Sequence, residues 1–319
     1  MDDDNPYDLL AADDEDQRWA FGTGFTDPFA GVGTALPPGV PAKALARYCL
    51  ALGDDALIYS HRLQEWVTRM PELEEETAIA NIALDLLGQA RLLLSRAAFA
   101  DPSLGPDGLP ADEDRLAFFR APGQFRNVRF AERADADFAE LMARLLVFSA
   151  WRLELCAALR ACPDPVVAAI TARSVSELTY HRDYAAAWVV RLGDGTGYSR
   201  ARMREGLAAV GPLTGELFTA SAVERDLPGV AVDPGTLRAG FDSALGAVLD
   251  AATLDAPAPL TDAPLAPAPL TDAPLTDAPL TDAPQSDGPL GRDGAHTPAL
   301  SRILAELQSV ARAHPDATW

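Results

Sequence analysis

Histidine is scarce in this chain, four residues in 319. None of the four completes the Glu-x-x-His spacing by which helical bundles hold a pair of metal ions. The residues three positions earlier are Ile58 for His61, Leu178 for His181, Asp293 for His296 and Ala311 for His314, and the one acid among them stands in a glycine-containing loop. Cysteine is scarcer still. Cys49, Cys156 and Cys162 are odd in number and form no Cys-x-x-Cys pair, so burial as small side chains is expected rather than a disulfide framework or a zinc site. The chain contains no Gly-x-Ser-x-Gly, no Gly-x-x-x-x-Gly-Lys and no Cys–His pairing in sequence, which removes the common hydrolase and phosphate-loop readings. No uncharged apolar run approaches the roughly 18 residues of a spanning helix. The opening Met1-Asp2-Asp3-Asp4 lacks the basic-then-apolar order of a signal peptide, so a cytoplasmic location is the expectation.

Basic residues are also few, 26 Lys and Arg against 47 Asp and Glu, for a net charge of -21. Residues 1–40 contribute -8 of this and residues 255–293 contribute -6, leaving -7 for the remainder. Phosphate backbones select basic faces, so nucleic acid and anionic membrane surfaces are excluded as partners. A protein partner or simple solubility remains.

The two acidic stretches frame the organisation. Residues 1–40 combine clustered acids with Gly22, Gly24, Gly31, Gly33, Pro37 and Pro38, a composition that cannot bury enough apolar area to offset its ordering entropy, and a mostly disordered arm is expected. Residues 255–293 carry a five-residue repeat, Pro-Leu-Thr-Asp-Ala, beginning at Pro259, Pro269, Pro274 and Pro279, with variants at Pro264 and Pro284. Proline at every fifth position blocks helix and central strand alike, so this is read as an extended linker. Residues 294–319 are expected to return as a helix packing on the main body.

Between the arm and the linker, residues 41–254 have a helical period throughout, with 48% apolar residues in the whole chain to build a core. Helix one is expected from about Pro41 to Arg69, striped by Leu45, Tyr48, Cys49, Leu52, Ala56, Tyr59, Leu63 and Trp66 and ended by Met70-Pro71. Helix two, Glu72 to Ala100, opens with Glu72, Glu74, Glu75 and Glu76 against the positive end of its dipole and is striped by Ile79, Ile82, Ala83, Leu86, Ala90, Leu93 and Ala97. A short helix near Asp114–Arg120 precedes helix three, about Asp135 to Cys162, and helix four, Pro165 to Gly193. Four helices of roughly 25 residues, each about 38 Å long, with apolar stripes on one side, describe an all-α antiparallel four-helix bundle. Additional short helices are expected over residues 199–210, 212–219, 234–254 and 297–313.

Projection at about 100° per residue puts Ser174, Glu177 and His181 within about 40° of the stripe centre of helix four, and Ser149 and Arg152 similarly placed on helix three. Gln89 and Asp55 lie at the stripe edges of helices two and one. A buried unpaired Glu costs several kcal/mol, whereas a paired one approaches neutrality, so Arg152 or His181 is expected to supply the charge that a metal supplies elsewhere. The bland reading is a satisfied polar cluster in the core. The sharper one is a metal-dependent oxidase or oxygenase with an atypical set around Asp55, Glu177 and His181, although Arg only donates and adds positive charge. His61 and Glu65, one turn apart opposite the stripe of helix one with Asp54 nearby, read as a solvated face against which a partner could pack. Arg126 and Arg129 offer charge to an anionic ligand, but paired arginines in a loop are weak evidence.

The stretches Tyr48-Cys-Leu-Ala-Leu-Gly-Asp-Asp, Ser60-His-Arg-Leu-Gln-Glu-Trp66, Pro71-Glu-Leu-Glu and Ala80-Asn-Ile-Ala-Leu-Asp-Leu-Leu-Gly-Gln-Ala-Arg91 resemble the non-catalytic C subunits (PaaC) of ring 1,2-phenylacetyl-CoA epoxidases, in the ferritin-like superfamily. So do Tyr180-His181, residues 188–195, Val232-Asp-Pro-Gly-Thr-Leu-Arg238 and the ending from His296 to Trp319, while the arm and the repeat depart from that pattern. The resemblance implies a ferritin-like structural subunit of a multicomponent monooxygenase in aerobic phenylacetate breakdown. It also implies a catalytic A subunit holding the di-iron centre and phenylacetyl-CoA, a small B subunit, and a reductase with FAD and an iron–sulfur cluster drawing on NADPH. This chain is then expected to bind no cofactor. Against the Glu-x-x-His of such a catalytic sister, Leu86 and Gln89 stand at the Glu and His places on helix two; on helix four His181 is kept and Leu178 takes the Glu place.

Overall fold

A computed structural model describes residues 31–254, 290–315 and 317. Most of the expected acidic arm and nearly all of the repeat, residues 1–30 and 255–289, lie outside the described residues. The protein is an all-α, ferritin-like antiparallel bundle, and no strand occurs among the described residues.

The four long helices are α1 (Ala42–Gln64), α2 (Leu73–Ala100), α4 (Phe138–Leu159) and α5 (Pro165–Gly193), with a short α3 (Glu113–Phe118) between the pairs. Three of these starts have a local cause in side-chain charge or capping. Three glutamates, Glu74 to Glu76, occupy the first turn of α2. The Asp137 carboxylate accepts from the Glu140 amide at 2.9 Å, and the Asp164 carboxylate from the Val167 amide at 2.9 Å with Pro165 in the first turn. α1 stops at Gln64, short of the expected Arg69. The Trp66 amide bonds the Leu63 carbonyl three residues back, a single 3-10 turn follows over Val67–Arg69, and Met70 is extended (φ -71, ψ 155) as the residue before a proline should be.

α1 packs along α2 and α4 along α5, each pair joined antiparallel, and α2 against α5 helps bring the pairs together. By length and composition α2 is apolar enough to cross a membrane, yet 44% of its most apolar window is buried within the protein, as suits one helix of a bundle. α6 (Gly197–Val210) crosses α4 so closely that a Cβ on Gly206 would stand 2.9 Å from the Glu140 amide. A 3-10 stretch over Gly211–Phe218 and α7 (Ala222–Arg225) lead to α8 (Arg238–Ala251), which packs on α4 and α5. After the repeat, α9 (Pro298–Leu307) lies on α1 and is followed by α10 (Ser309–Ala313). The single helix expected over residues 297–313 is broken at Gln308 (φ -93, ψ -5), whose buried amide donates to the carbonyls of Ala117 and Arg120 and so fastens this segment to the end of α3.

Asp164 also pairs through its other oxygen with Arg96 of α2, and Arg96 donates to the Thr34 carbonyl at 2.6 Å. One buried ion pair thus joins two long helices and residue 34 ahead of them.

Cys49 and Cys156 are buried and Cys162 is half-buried. Burial raises all three thiol pKa values, that of Cys156 to about 11. At pH 8 the native chain is therefore expected to hold Cys156 about one part in a thousand as thiolate. Iodoacetamide labelling followed by peptide mass spectrometry should modify Cys162 first and reach Cys49 and Cys156 only in urea; rapid native labelling of Cys156 would contradict this.

Candidate functional site

The bundle interior carries a chain of polar side chains from three helices, tied to the backbone of the fourth. Arg152 on α4 donates from Nε to the Gln89 side-chain carbonyl at 3.0 Å and from Nη2 to the Leu52 carbonyl of α1 at 3.2 Å. Gln89 on α2 passes the interaction on, its amide donating to Glu177 Oε2 of α5 at 3.0 Å. Glu177 Oε1 accepts from Arg173 at 2.9 Å, one turn earlier on the same helix. Arg152 and Gln89 are buried, whereas Glu177 is half-buried, at the rim rather than at the centre where its projection placed it. Neither expected partner touches it directly: Arg152 reaches it through Gln89, and His181 turns elsewhere. The His181 Nε2–H donates to Asp85 Oδ2 at 2.9 Å, one helical turn before Gln89 on α2. His181 Nδ1 is buried without a hydrogen-bond partner among the described residues.

The remaining residues of the expected cluster separate. Ser174 is buried and bonds back to the Ile170 carbonyl at 2.9 Å within its own helix. The Ser149 hydroxyl is buried without a partner among the described residues. Asp55 belongs to a different network. Its carboxylate accepts from Arg292 at 2.7 and 3.0 Å and from the Val128 amide at 2.8 Å. Burial alone would lower the Arg292 pKa, but Asp55, Glu224 and Glu216 outweigh it and hold the guanidinium protonated.

The face expected to meet a partner is also corrected. Asp54 is wholly buried, paired with Arg120 and accepting from the Arg126 amide at 2.8 Å, because the turns after α3 cover that side of α1. His61 and Glu65 are half-buried, and Glu306 of α9 stands against them: the ligand atoms of the three lie within 4.8 Å of one another. Arg126 and Arg129, expected to suit an anionic ligand, are committed internally. Arg126 donates to the Gly123 and Phe125 carbonyls at 2.7 and 2.6 Å, and Arg129 to Glu216 at 3.3 Å. Sequence reasoning missed Asp85, Glu132, Glu216, Arg292 and Glu306. Glu132 is fully buried, taking His296 Nδ1 at 2.7 Å, the Thr297 amide at 2.8 Å and Asn127 at 3.0 Å.

The donor set between α2, α4 and α5 does not fit a di-metal centre. Leu86 and Leu178, at the two Glu places, are buried and offer no donor. Gln89 commits its carbonyl to Arg152, so a positive guanidinium already occupies the neighbourhood in which a cation would have to be held. The alternative set of Asp55, Glu177 and His181 is bonded to three different partners and does not converge.

A profile of the family described as Phenylacetic acid catabolic protein matches residues 34–263. The C subunit of the 1,2-phenylacetyl-CoA epoxidase of Escherichia coli (strain K12) is 37% identical over 277 residues, covering 86% of this chain and 99% of that protein.

Two of the buried arginines, Arg292 and Arg152, should differ in worth. Arg292→Met strands Asp55 as a buried charge and is expected to cost about 3–5 kcal/mol. Arg152→Met removes hydrogen bonds but strands no carboxylate, because Glu177 keeps Arg173 and contact with water, and is expected to cost about 1–3 kcal/mol. Urea unfolding of both variants checks the order; a larger loss for Arg152→Met would reverse the account.

Proposed function

The chain belongs to the phenylacetic acid catabolic protein family, and from that premise we propose that it is the structural, non-catalytic subunit of a multicomponent di-iron monooxygenase that epoxidises the ring of phenylacetyl-CoA in aerobic phenylacetate catabolism. Its partner is the catalytic A subunit, which holds the iron and the substrate. A small B subunit and a reductase with FAD, an iron–sulfur cluster and NADPH complete the cytoplasmic assembly. The chain itself binds none of these cofactors; its bundle supports a second bundle of similar fold.

The observation that carries this reading is the Arg152–Gln89–Glu177 relay, which fills with protein side chains the ground that a ferritin-like enzyme gives to metal. A cation that is part of the chain keeps the four helices joined but offers no open coordination position for oxygen. Of the large apolar residues left exposed on α2, Leu73, Leu84 and Leu87 fall on one side of that helix at about 100° per residue, and Phe99 lies apart from them near its end. This side, in place of Asp54, His61 and Glu65, is the surface we assign to the A subunit.

Co-expression with the catalytic partner tests the reading. The two chains should co-purify through size exclusion, epoxidation of phenylacetyl-CoA should require the catalytic chain, and Leu84→Glu with Leu87→Glu should dissociate the pair while this chain stays folded. The chain purified alone from iron-replete cells should carry far less than one iron. Stoichiometric iron abolished by Glu177→Ala or His181→Ala would overturn the proposal.

A further inference from the structure

His61 and Glu65 stand one turn apart on α1, and the fold brings Glu306 of α9 against them, so that one nitrogen and two carboxylate oxygens lie within 4.8 Å of one another. Two features make this more than a crossing of charged surfaces. The His61 Nε2 atom is sealed from solvent and has no hydrogen-bond partner among the described residues, the condition of a ligand atom whose acceptor or cation is missing. Burial pushes the imidazole pKa down, against the pull of Glu65 and Glu306, so the neutral, metal-binding form is favoured at neutral pH. Arg62 Nη1 donates to both oxygens of Glu65 at 2.7 and 2.9 Å, a competing positive charge with which a bound cation must share that carboxylate.

We propose that His61, Glu65 and Glu306 form a binding site for one divalent transition cation of the zinc class, which fastens α9 to α1. An imidazole with two carboxylates is a mixed nitrogen–oxygen set that suits Zn²⁺ better than Mg²⁺ or Ca²⁺, which take oxygen alone. Tetrahedral ligands at about 2.1 Å from zinc are about 3.4 Å apart. The ligand atoms lie within 4.8 Å of one another, and the exposed Glu306 side chain can supply whatever closure that geometry needs. A water completes the fourth position. This site is formed by different residues from the Arg152–Gln89–Glu177 relay and does not depend on the function proposed above.

The full-length chain, stripped with chelator and titrated with zinc chloride in a calorimeter, should bind one equivalent. His61→Ala and Glu306→Gln should each weaken that binding roughly tenfold or more. Glu177→Ala and the double change Glu74→Gln, Glu75→Gln, the latter in a separate group of acids at the start of α2, should leave it unchanged. Zinc should also slow amide hydrogen exchange across residues 298–307 in the native chain and not in Glu306→Gln. Glu306 is exposed, so its variant keeps the test valid even where His61→Ala fails to fold. No binding at micromolar zinc, binding indifferent to Glu306→Gln, or binding without added protection of α9 would each overturn the site.

Discussion

Asp54 and Asp55 are consecutive on α1, both wholly buried, and each is met by an arginine from a different part of the chain, Arg120 and Arg292. Neighbouring helical residues point about 100° apart, so these two carboxylates draw in separate segments. Asp54 also takes the Arg126 amide and Asp55 the Val128 amide, which pins the irregular turns between α3 and α4 along the helix. Arg292 then donates to the Ala51 and Arg126 carbonyls, at 2.9 Å each, closing the segment before α9 over those turns. Much of the fold outside the four long helices is held by the need to answer those two charges, since a buried carboxylate without a counter-charge is far costlier than one properly paired.

The same demand governs the bundle interior, with a different outcome. In a metal-holding bundle the positive charge is a bound ion and the protein supplies ligands. Here the positive charge is Arg152, which donates from Nε and Nη2 and accepts nothing, while its buried Nη1 has no partner among the described residues; Leu86 and Leu178 offer no carboxylate. Such an interior retains the rigidity of cross-helix polar bonds without a coordination site.

Much of the bundle was legible in the sequence because amphipathic period and caps are local signals. α5 runs from Pro165 to Gly193 as its flanking residues suggest, and the stripe residues Leu45, Leu52, Ile82, Leu86 and Leu178 are all buried. Partners were not legible, since a period says which face is covered and not by what. Asp54 lies opposite the stripe of α1 and reads as solvated, yet short 3-10 turns without any period of their own cover it. Asp85, one residue before the buried Leu86, sits at the edge of the interior and meets His181 from a helix 96 positions away. Glu306 and Arg292 follow a proline-rich stretch and carry no signal that ties them to α1. The inward placement of Glu177 failed by a smaller margin. Its long side chain reaches the rim, where Gln89 and Arg173 share it.

The Arg292–Asp55 pair spans 237 positions. A contact of that span closes a long loop, and the entropy of closing it grows only slowly with length, so one well-made buried pair can outweigh it. The segment leading into α9 is thereby seated at a fixed place along the middle of α1, and the register between two parts of the chain remote in sequence is set by a single guanidinium and a single carboxylate.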